Sequence, residues 1–269
     1  MSTNEHPRST TRVAVDAQTL TELYEAPEIL RVVNVWDPVS ARVVSEIPGT
    51  RAIATAGHAI AASHGYADGE RIPLDLMLAA VERIVAATSL PVTADLDGGF
   101  DDAGETVRRA IDVGVCGANI EDRLRPVPES VDVMRAAIEA GERAEVSFVL
   151  NARTDALVRG GDRSREASLA DAIQRGRAYL DAGATCVFVP GIISADEART
   201  LVSEIGERKV SVIGLPGALT AAEYEALGVA RISYGPMPQN VALTALKRLG
   251  ESLMHDGVIP ADTEKLNDF

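Results

Sequence analysis

Cysteine, aromatic rings, basic charge and long apolar runs are all scarce in this chain. Of its 269 residues only Cys116 and Cys186 are cysteines. Both sit in apolar runs, so a disulfide framework is excluded and a reducing, cytoplasmic setting is expected. Neither has a basic neighbour in sequence to activate its thiol, and both read as packing residues. No stretch approaches the roughly 18 consecutive apolar residues of a transmembrane helix. Met1 to Arg12 is polar and lacks the apolar core of a signal peptide, so no membrane partner is expected. Lys and Arg total 26 against 40 Asp and Glu, a formal charge of −14, which argues against nucleic acid or an anionic lipid surface as partner. No P-loop, G-x-S-x-G elbow or G-x-G-x-x-G fingerprint is present. His58 and His64 have no companion cluster of Cys or His and read as polar loop residues rather than metal ligands.

Apolar residues, by contrast, make up 46% of the chain, ample for a core. Strand-like runs occur at Leu30-Trp36, Ala52-Thr55, Pro91-Asp95, Ala118-Glu121, Phe148-Arg153, Cys186-Pro190, Val210-Gly214 and Ala230-Tyr234. Stretches of helical period lie between most of them, at Leu74-Ala87, Asp102-Val113, Ser130-Ala140, Ser168-Ala182, Ala195-Ile205 and Ala221-Leu227, with Ala17-Glu25 before the first strand and Asn240-Met254 after the last. Gly114, Gly183 and Gly228 mark helix stops ahead of the next strand. Several strands are nearly continuous in hydrophobicity, as parallel strands buried on both faces are. Eight βα units in one chain of this length predict an α/β fold of (β/α)₈ TIM-barrel type rather than an open doubly wound sheet. No linker divides it, so residues 1–269 are expected to form one domain with a short polar N-terminal tail.

A barrel places its chemistry at the C-terminal ends of its strands, and the polar residues fall there. The third strand ends in Asp95-Leu96-Asp97-Gly98-Gly99-Phe100. In an extended chain Asp95 and Asp97 share a face, and two like charges that close are costly without a cation between them. A hard divalent ion such as Mg²⁺ is the simplest partner, while a plain strand end running into a polar turn fits the same spacing. The Trp36 and Asp37 pair, Thr55-Ala56-Gly57, Glu121 and Arg153 end other strands on the same rim. The turns Gly214-Leu215-Pro216-Gly217 and Tyr234-Gly235-Pro236 follow the last two strands, where many barrels bind phosphate, but read as plain turns. Val158 to Arg163 reads as a flexible loop on the same rim that could contribute to closure.

Several motifs in register resemble the isocitrate lyase/phosphoenolpyruvate mutase superfamily. They are Asn34-Val35-Trp36-Asp37, Ala52-Ile53-Ala54-Thr55, Gly65-Tyr66-Ala67-Asp68-Gly69, the Asp95 to Phe100 stretch, Asn119-Ile120-Glu121-Asp122, Asn151-Ala152-Arg153-Thr154-Asp155-Ala156 and Val187-Phe188-Val189-Pro190-Gly191. The resemblance implies a Mg²⁺-dependent barrel, with Mn²⁺ as a substitute, that makes or breaks C–C or P–C bonds in small oxo- or hydroxy-carboxylates through an enolate. It also implies a homo-oligomer, dimer or tetramer, whose last helix packs on a neighbouring subunit. Asp95 matches the most direct metal ligand, and Asp97, Glu121 and Asp68 match acids acting through its water shell. Asp68 is counted with Arg153 as catalytic. Thr55, Ala56 and Gly57 match the loop whose backbone N–H groups hold the substrate carboxylate or oxo group, and Trp36 and Asp37 match residues lining the same pocket. Arg153 matches the strand-end arginine that pairs with the substrate carboxylate, with an internal salt bridge to Asp155 or Glu121 as the alternative.

The departures bear on function. Isocitrate-lyase-type members carry a Lys-[Lys/Arg]-Cys-Gly-His loop after the Glu121-Asp122 position, whereas this chain reads Arg123-Leu124-Arg125-Pro126-Val127-Pro128. That thiol mechanism is therefore unsupported. Phosphoenolpyruvate mutases and phosphonopyruvate hydrolases have Lys where Arg123 stands, followed by a longer loop. His58 replaces the Ser usual in its loop, and Ser211 stands where many members have Asn. The expected function is a Mg²⁺-dependent C–C lyase or decarboxylase on a small oxo- or hydroxy-carboxylate. The alternatives are a phosphomutase-like or phosphonopyruvate-acting enzyme, or a catalytically degenerate binding subunit.

Overall fold

The computed structural model describes residues 8–255 and 257–267. Among them the strands are β1 Leu30–Val32, β2 Asn34–Val35, β3 Ile53–Thr55, β4 Val92–Asp95, β5 Gly117–Glu121, β6 Val149–Arg153, β7 Cys186–Phe188, β8 Val210–Ile213 and β9 Arg231–Ser233. The helices are α1 Thr10–Glu25, α2 Pro38–Ser45, α3 Gly57–Ser63, α4 Leu74–Ala86, α5 Ala103–Asp112, α6 Val127–Arg143, α7 Arg165–Asp181, α8 Ala195–Ile205, α9 Ala221–Ala226 and α10 Met237–His255.

All strand pairs are parallel, and the ladder runs β1-β9-β8-β7-β6-β5-β4-β3-β2. Its two ends, β1 and β2, are separated only by Val33. They are one extended stretch whose first half pairs with β9 and whose second half pairs with β3. The chain itself thus closes the sheet into the expected barrel, with the eight strand positions read from the sequence. Residues of β5 are buried throughout, because side chains on one face fill the barrel and those on the other pack under the helices.

Helix starts follow local chemistry. Ser9, Asp102, Ser164, Ser194 and Thr220 each accept a backbone N–H of the first turn of α1, α5, α7, α8 and α9, satisfying donors a helix leaves orphaned. Two departures from the expected pattern are explained this way. The Ser9 cap and the ion pairs of Asp16 with Arg8 (2.7 Å) and Arg12 (2.8 Å) start α1 at Thr10, well before Ala17. The short helices α2 and α3 lie in stretches too brief to show helical period; α2 is set by a capping box at Asp37 and by Pro38 in its first turn.

One element leaves the barrel. α10 is tied down at Gln239, whose Nε2 donates to the Ala59 carbonyl (3.0 Å) and Ser63 Oγ (2.9 Å). Beyond that point Leu243 and Leu246 face solvent, Leu246 at 62% exposure. No helix among the described residues is long and apolar enough to cross a membrane.

Candidate active site

At the C-terminal rim lies a cavity of about 250 Å³ whose lining includes Asp68, Asp95, Asp97, Glu121 and Arg153. Apart from the neighbours Asp95 and Asp97, these residues come from segments far apart in sequence. Asn34, Asn119, Phe188 and Arg159 complete much of its wall. Asn119 and Glu121 are buried, whereas Asp68, His58 and Arg159 are each about half exposed in their side chains. The cavity therefore has an acidic floor and a mixed-charge mouth.

The two aspartates of the Asp95-Leu96-Asp97 stretch do not share a face by strand alternation, as expected, because β4 ends at Asp95. Asp97 lies in the left-handed region at φ +49°, which Asp tolerates better than most residues. This turn, not the pleat, brings its carboxylate into the cavity. Its carbonyl accepts the Glu121 N–H at 2.7 Å, locking the turn onto β5.

The acids pay electrostatically for their proximity. Burial raises the Asp97 carboxyl to about 8, helped by the charges of Asp95, Glu121, Asp68 and Glu70. Burial also raises Asp95, opposed chiefly by the Arg153 guanidinium. Asp95 is further positioned by the Gly57 N–H, which donates to its Oδ2 at 3.1 Å, while its own N–H donates to Thr55 Oγ1 at 3.0 Å. A Cβ at Gly57 would stand 3.1 Å from the Asp95 carbonyl oxygen, a tight fit.

Glu121, at 4% exposure, faces three arginines. Its carboxylate lies 3.0 Å from Arg153 Nη1, 3.2 Å from Arg123 Nε and 3.5 Å from Arg159 Nη2. Fully buried Asp155 takes Arg153 Nε at 2.8 Å and stands 2.8 Å from Arg159 Nε. Arg153 thus makes both internal pairs named as the alternative to a ligand contact, and it still lines the cavity.

Other expected site residues lie elsewhere. Trp36 and Asp37 are not in the cavity lining; they line a separate, mostly apolar pocket with Val39, Val43 and Pro238. The strand ends at Val35 and the chain turns at once into α2, where Asp37 Oδ1 accepts the Ser40 N–H at 2.7 Å as the N-cap. Thr55, Ala56 and Gly57 support the site rather than line it. The Ala56 N–H donates to the Val35 carbonyl at 3.1 Å and the Gly57 N–H is taken by Asp95, so neither donor is open to a ligand as expected.

Sequence reading missed Glu70 and the partners of Arg123. Glu70 Oε1 accepts the N–H groups of Gly98 (3.0 Å) and Phe100 (2.7 Å) and pairs with Arg123 Nη2 at 2.8 Å. It staples the glycine turn after Asp97 to the β5–α6 connection. A Cβ on Gly98 would come within 2.6 Å of Arg123 Nε. The only hint in sequence is that Glu70 directly follows the Gly65 to Gly69 motif. His58, expected as a loop residue, lines the cavity with its Nδ1 3.3 Å from Asp68 Oδ2. The β5–α6 connection is short, with α6 beginning at Val127, so no long lid rises there.

Whether the acids suit a divalent ion can be judged from the donor set. Among the described residues no three His, Cys, Asp or Glu side chains stand close enough to hold a metal together, so an all-protein cage is not what the cavity offers. Buried carboxylates that raise one another's proton affinity, facing open space, do fit Mg²⁺. That ion takes one or two carboxylates and fills its remaining positions with water and ligand oxygens.

Comparison with known proteins agrees with this architecture. The profile of the family described as phosphoenolpyruvate phosphomutase matches residues 20–254. A "Probable 2-methylisocitrate lyase 2" of Corynebacterium glutamicum is 33% identical over 184 residues, 63% of this chain. The match spans 57% of that relative's own length. A structure from Burkholderia cenocepacia J2315, provisionally described as a phosphonomutase, shares 37% identity at a TM-score of 0.84 and covers 89% of this chain and 99% of that one. Oxaloacetate acetylhydrolase in complex with the inhibitor 3,3-difluorooxalacetate superposes at a TM-score of 0.82 with 25% identity, covering 97% of this chain and 90% of that one.

Proposed function

The chain belongs to the phosphoenolpyruvate phosphomutase family, within the isocitrate lyase/phosphoenolpyruvate mutase superfamily of C–C lyases and phosphomutases, and we propose that it is a Mg²⁺-dependent lyase or decarboxylase of a small oxo- or hydroxy-carboxylate. The observation that carries this reading is the convergence of Asp95, Asp97 and Glu121 with Arg153 on one rim cavity. Mg²⁺ bound there, or Mn²⁺ in its place, would supply Lewis-acid stabilisation of the charge that develops on an enolate oxygen.

The chain's own residues do the rest. Asp95, Asp97 and Glu121 would hold the ion, with Asp95 as its most direct partner. Arg153, paired through Nε with Asp155 and through Nη1 with Glu121, keeps Nη2 for a charge-assisted contact with the substrate carboxylate. Asp68, at the mouth beside His58, is placed to take the proton of a substrate hydroxyl. Phe188 and Pro190 keep that side of the cavity apolar, which strengthens the charge interactions inside. Without a thiol on the β5–α6 connection, the isocitrate-lyase proton relay is not available to it.

A phosphonate-acting reading is kept as the second one, because the 37% identical structure is described as a phosphonomutase. We also infer that residues 1–269 act as one domain and that α10 packs on a second copy of the chain, since its apolar positions face solvent in the single chain. Turnover of oxaloacetate, methylated malates, phosphonopyruvate and isocitrate, with and without Mg²⁺, tests the assignment. Mg²⁺-dependent release of a pyruvate-type or oxalate product supports it. No turnover, with no metal binding by calorimetry at millimolar Mg²⁺ or Mn²⁺, refutes it and favours a degenerate binding barrel.

A further inference from the structure

Arg153 is committed on both sides. It is held by Glu121 and Asp155, so it can serve one carboxylate at most. A second guanidinium reaches the same cavity. Arg159, in the β6–α7 loop, lines it with its side chain 52% exposed. Its Nε stands 2.8 Å from Asp155 Oδ2 and its Nη2 3.5 Å from Glu121 Oε1. Neither contact has the direction of a hydrogen bond: Asp155 Oδ2 has no hydrogen-bond partner, and Arg159 makes no side-chain hydrogen bond among the described residues. Two buried carboxylates therefore hold the guanidinium in place by charge while its N–H donors stay open. Phe188, Pro190 and Ile213 also line the cavity, offering apolar surface that suits a short carbon chain and not a polar one.

We propose that Arg159 is a specificity-determining residue that binds a second anionic group, carboxylate or phosphonate, at the far end of the substrate. The inference rests on the carboxylate reading of the site and goes beyond it. It assigns the second anionic end, which every candidate substrate above carries, to Arg159. An arginine does this better than a lysine because its planar fork meets two oxygens at once. Arg123 does not compete for the role: its Nε donates to Glu121 at 3.2 Å, its Nη2 stands 2.8 Å from Glu70 as an ion pair, and it is not among the cavity-lining residues.

The test compares two classes of ligand on the full chain with Mg²⁺, by calorimetry. Oxalate fills the enolate position and has no further group. The compounds 3,3-difluorooxaloacetate and phosphonopyruvate carry an additional anionic end. In Arg159→Gln we expect affinity for the two-ended ligand that the parent binds more tightly to fall tenfold or more, and oxalate affinity to stay within threefold. Arg159→Lys, which keeps the charge beside Asp155, should recover part of the loss. Circular dichroism checks that both variants fold. Equal weakening of oxalate and the two-ended ligand, or no weakening of either, overturns the assignment of Arg159 and leaves the carboxylate reading standing. A parent that binds none of the three overturns that reading, and the inference with it.

Discussion

Replacing Asp97 by Asn separates the electrostatic cost of the acidic floor from its geometry. Asn is close in size, and it tolerates the left-handed backbone at φ +49°. No side-chain hydrogen bond of Asp97 is broken, since the bond that locks the turn runs from the Glu121 N–H to the Asp97 carbonyl. What changes is a carboxyl lifted from the ordinary value near 4 to about 8 in the metal-free protein. The folded state then holds a proton that the unfolded chain releases, so between about pH 4 and 8 raising the pH favours unfolding. The stability this group contributes is fully present below its unfolded value and is lost as pH climbs to 8. At about 1.4 kcal/mol per pH unit, the loss by pH 7 reaches up to about 4 kcal/mol. Asp97→Asn removes it. In EDTA at pH 7 to 8 the variant should melt several degrees above the parent, at roughly 2 to 4 °C per kcal/mol for a chain of this size, and the two curves should converge near pH 4. Adding Mg²⁺ should raise the parent's midpoint by mass action and raise the variant's by less. Scanning fluorimetry across pH, with and without metal, reads all three effects. A variant that melts below the parent in EDTA at pH 8, or gains as much from Mg²⁺, would refute this account of the floor.

Three further outcomes follow from the same geometry. Cys116→Ser and Cys186→Ser, singly or together, should leave turnover largely intact, because burial pushes both thiols up to about 12 and neither supplies a thiolate; a collapse of kcat in a folded variant would show a thiol in the chemistry. Arg153→Lys should lose roughly 1.5–3 kcal/mol of stability through its contact with Asp155 and weaken oxalate binding at least tenfold in the presence of Mg²⁺. Unchanged oxalate affinity in that variant would confine Arg153 to its internal ion pairs. Leu246→Glu should shift the chain to monomer in light scattering if α10 buries its exposed apolar side against a second copy, and a monomeric parent would disprove that packing.

The barrel was legible in the sequence because its signals are local and repeated. β5 is buried along its whole length, and longer helices such as α5 and α7 show their period before Gly114 and Gly183 follow them. The acids and Arg153 were legible for a related reason, since a parallel barrel sends every strand end to one rim, so position along a strand already places a side chain at the site. Tertiary structure alone decided which neighbours those side chains meet. Whether Asp97 points inward depends on a left-handed turn pinned by the Glu121 N–H, and the pleat predicts the right outcome for the wrong reason. Asp37 and Gly57 sit where the motifs place them, yet one caps a helix and the other holds Asp95, because a backbone donor or a short carboxylate is claimed by whichever partner lies within hydrogen-bonding reach. Glu70 was invisible beforehand, and Arg123 and Arg159 were legible as positions on the rim without their partners. Long side chains on loops gain a role only when the fold brings an opposite charge within reach, as it does for Glu70 with Arg123 and for Arg159 with Asp155 and Glu121.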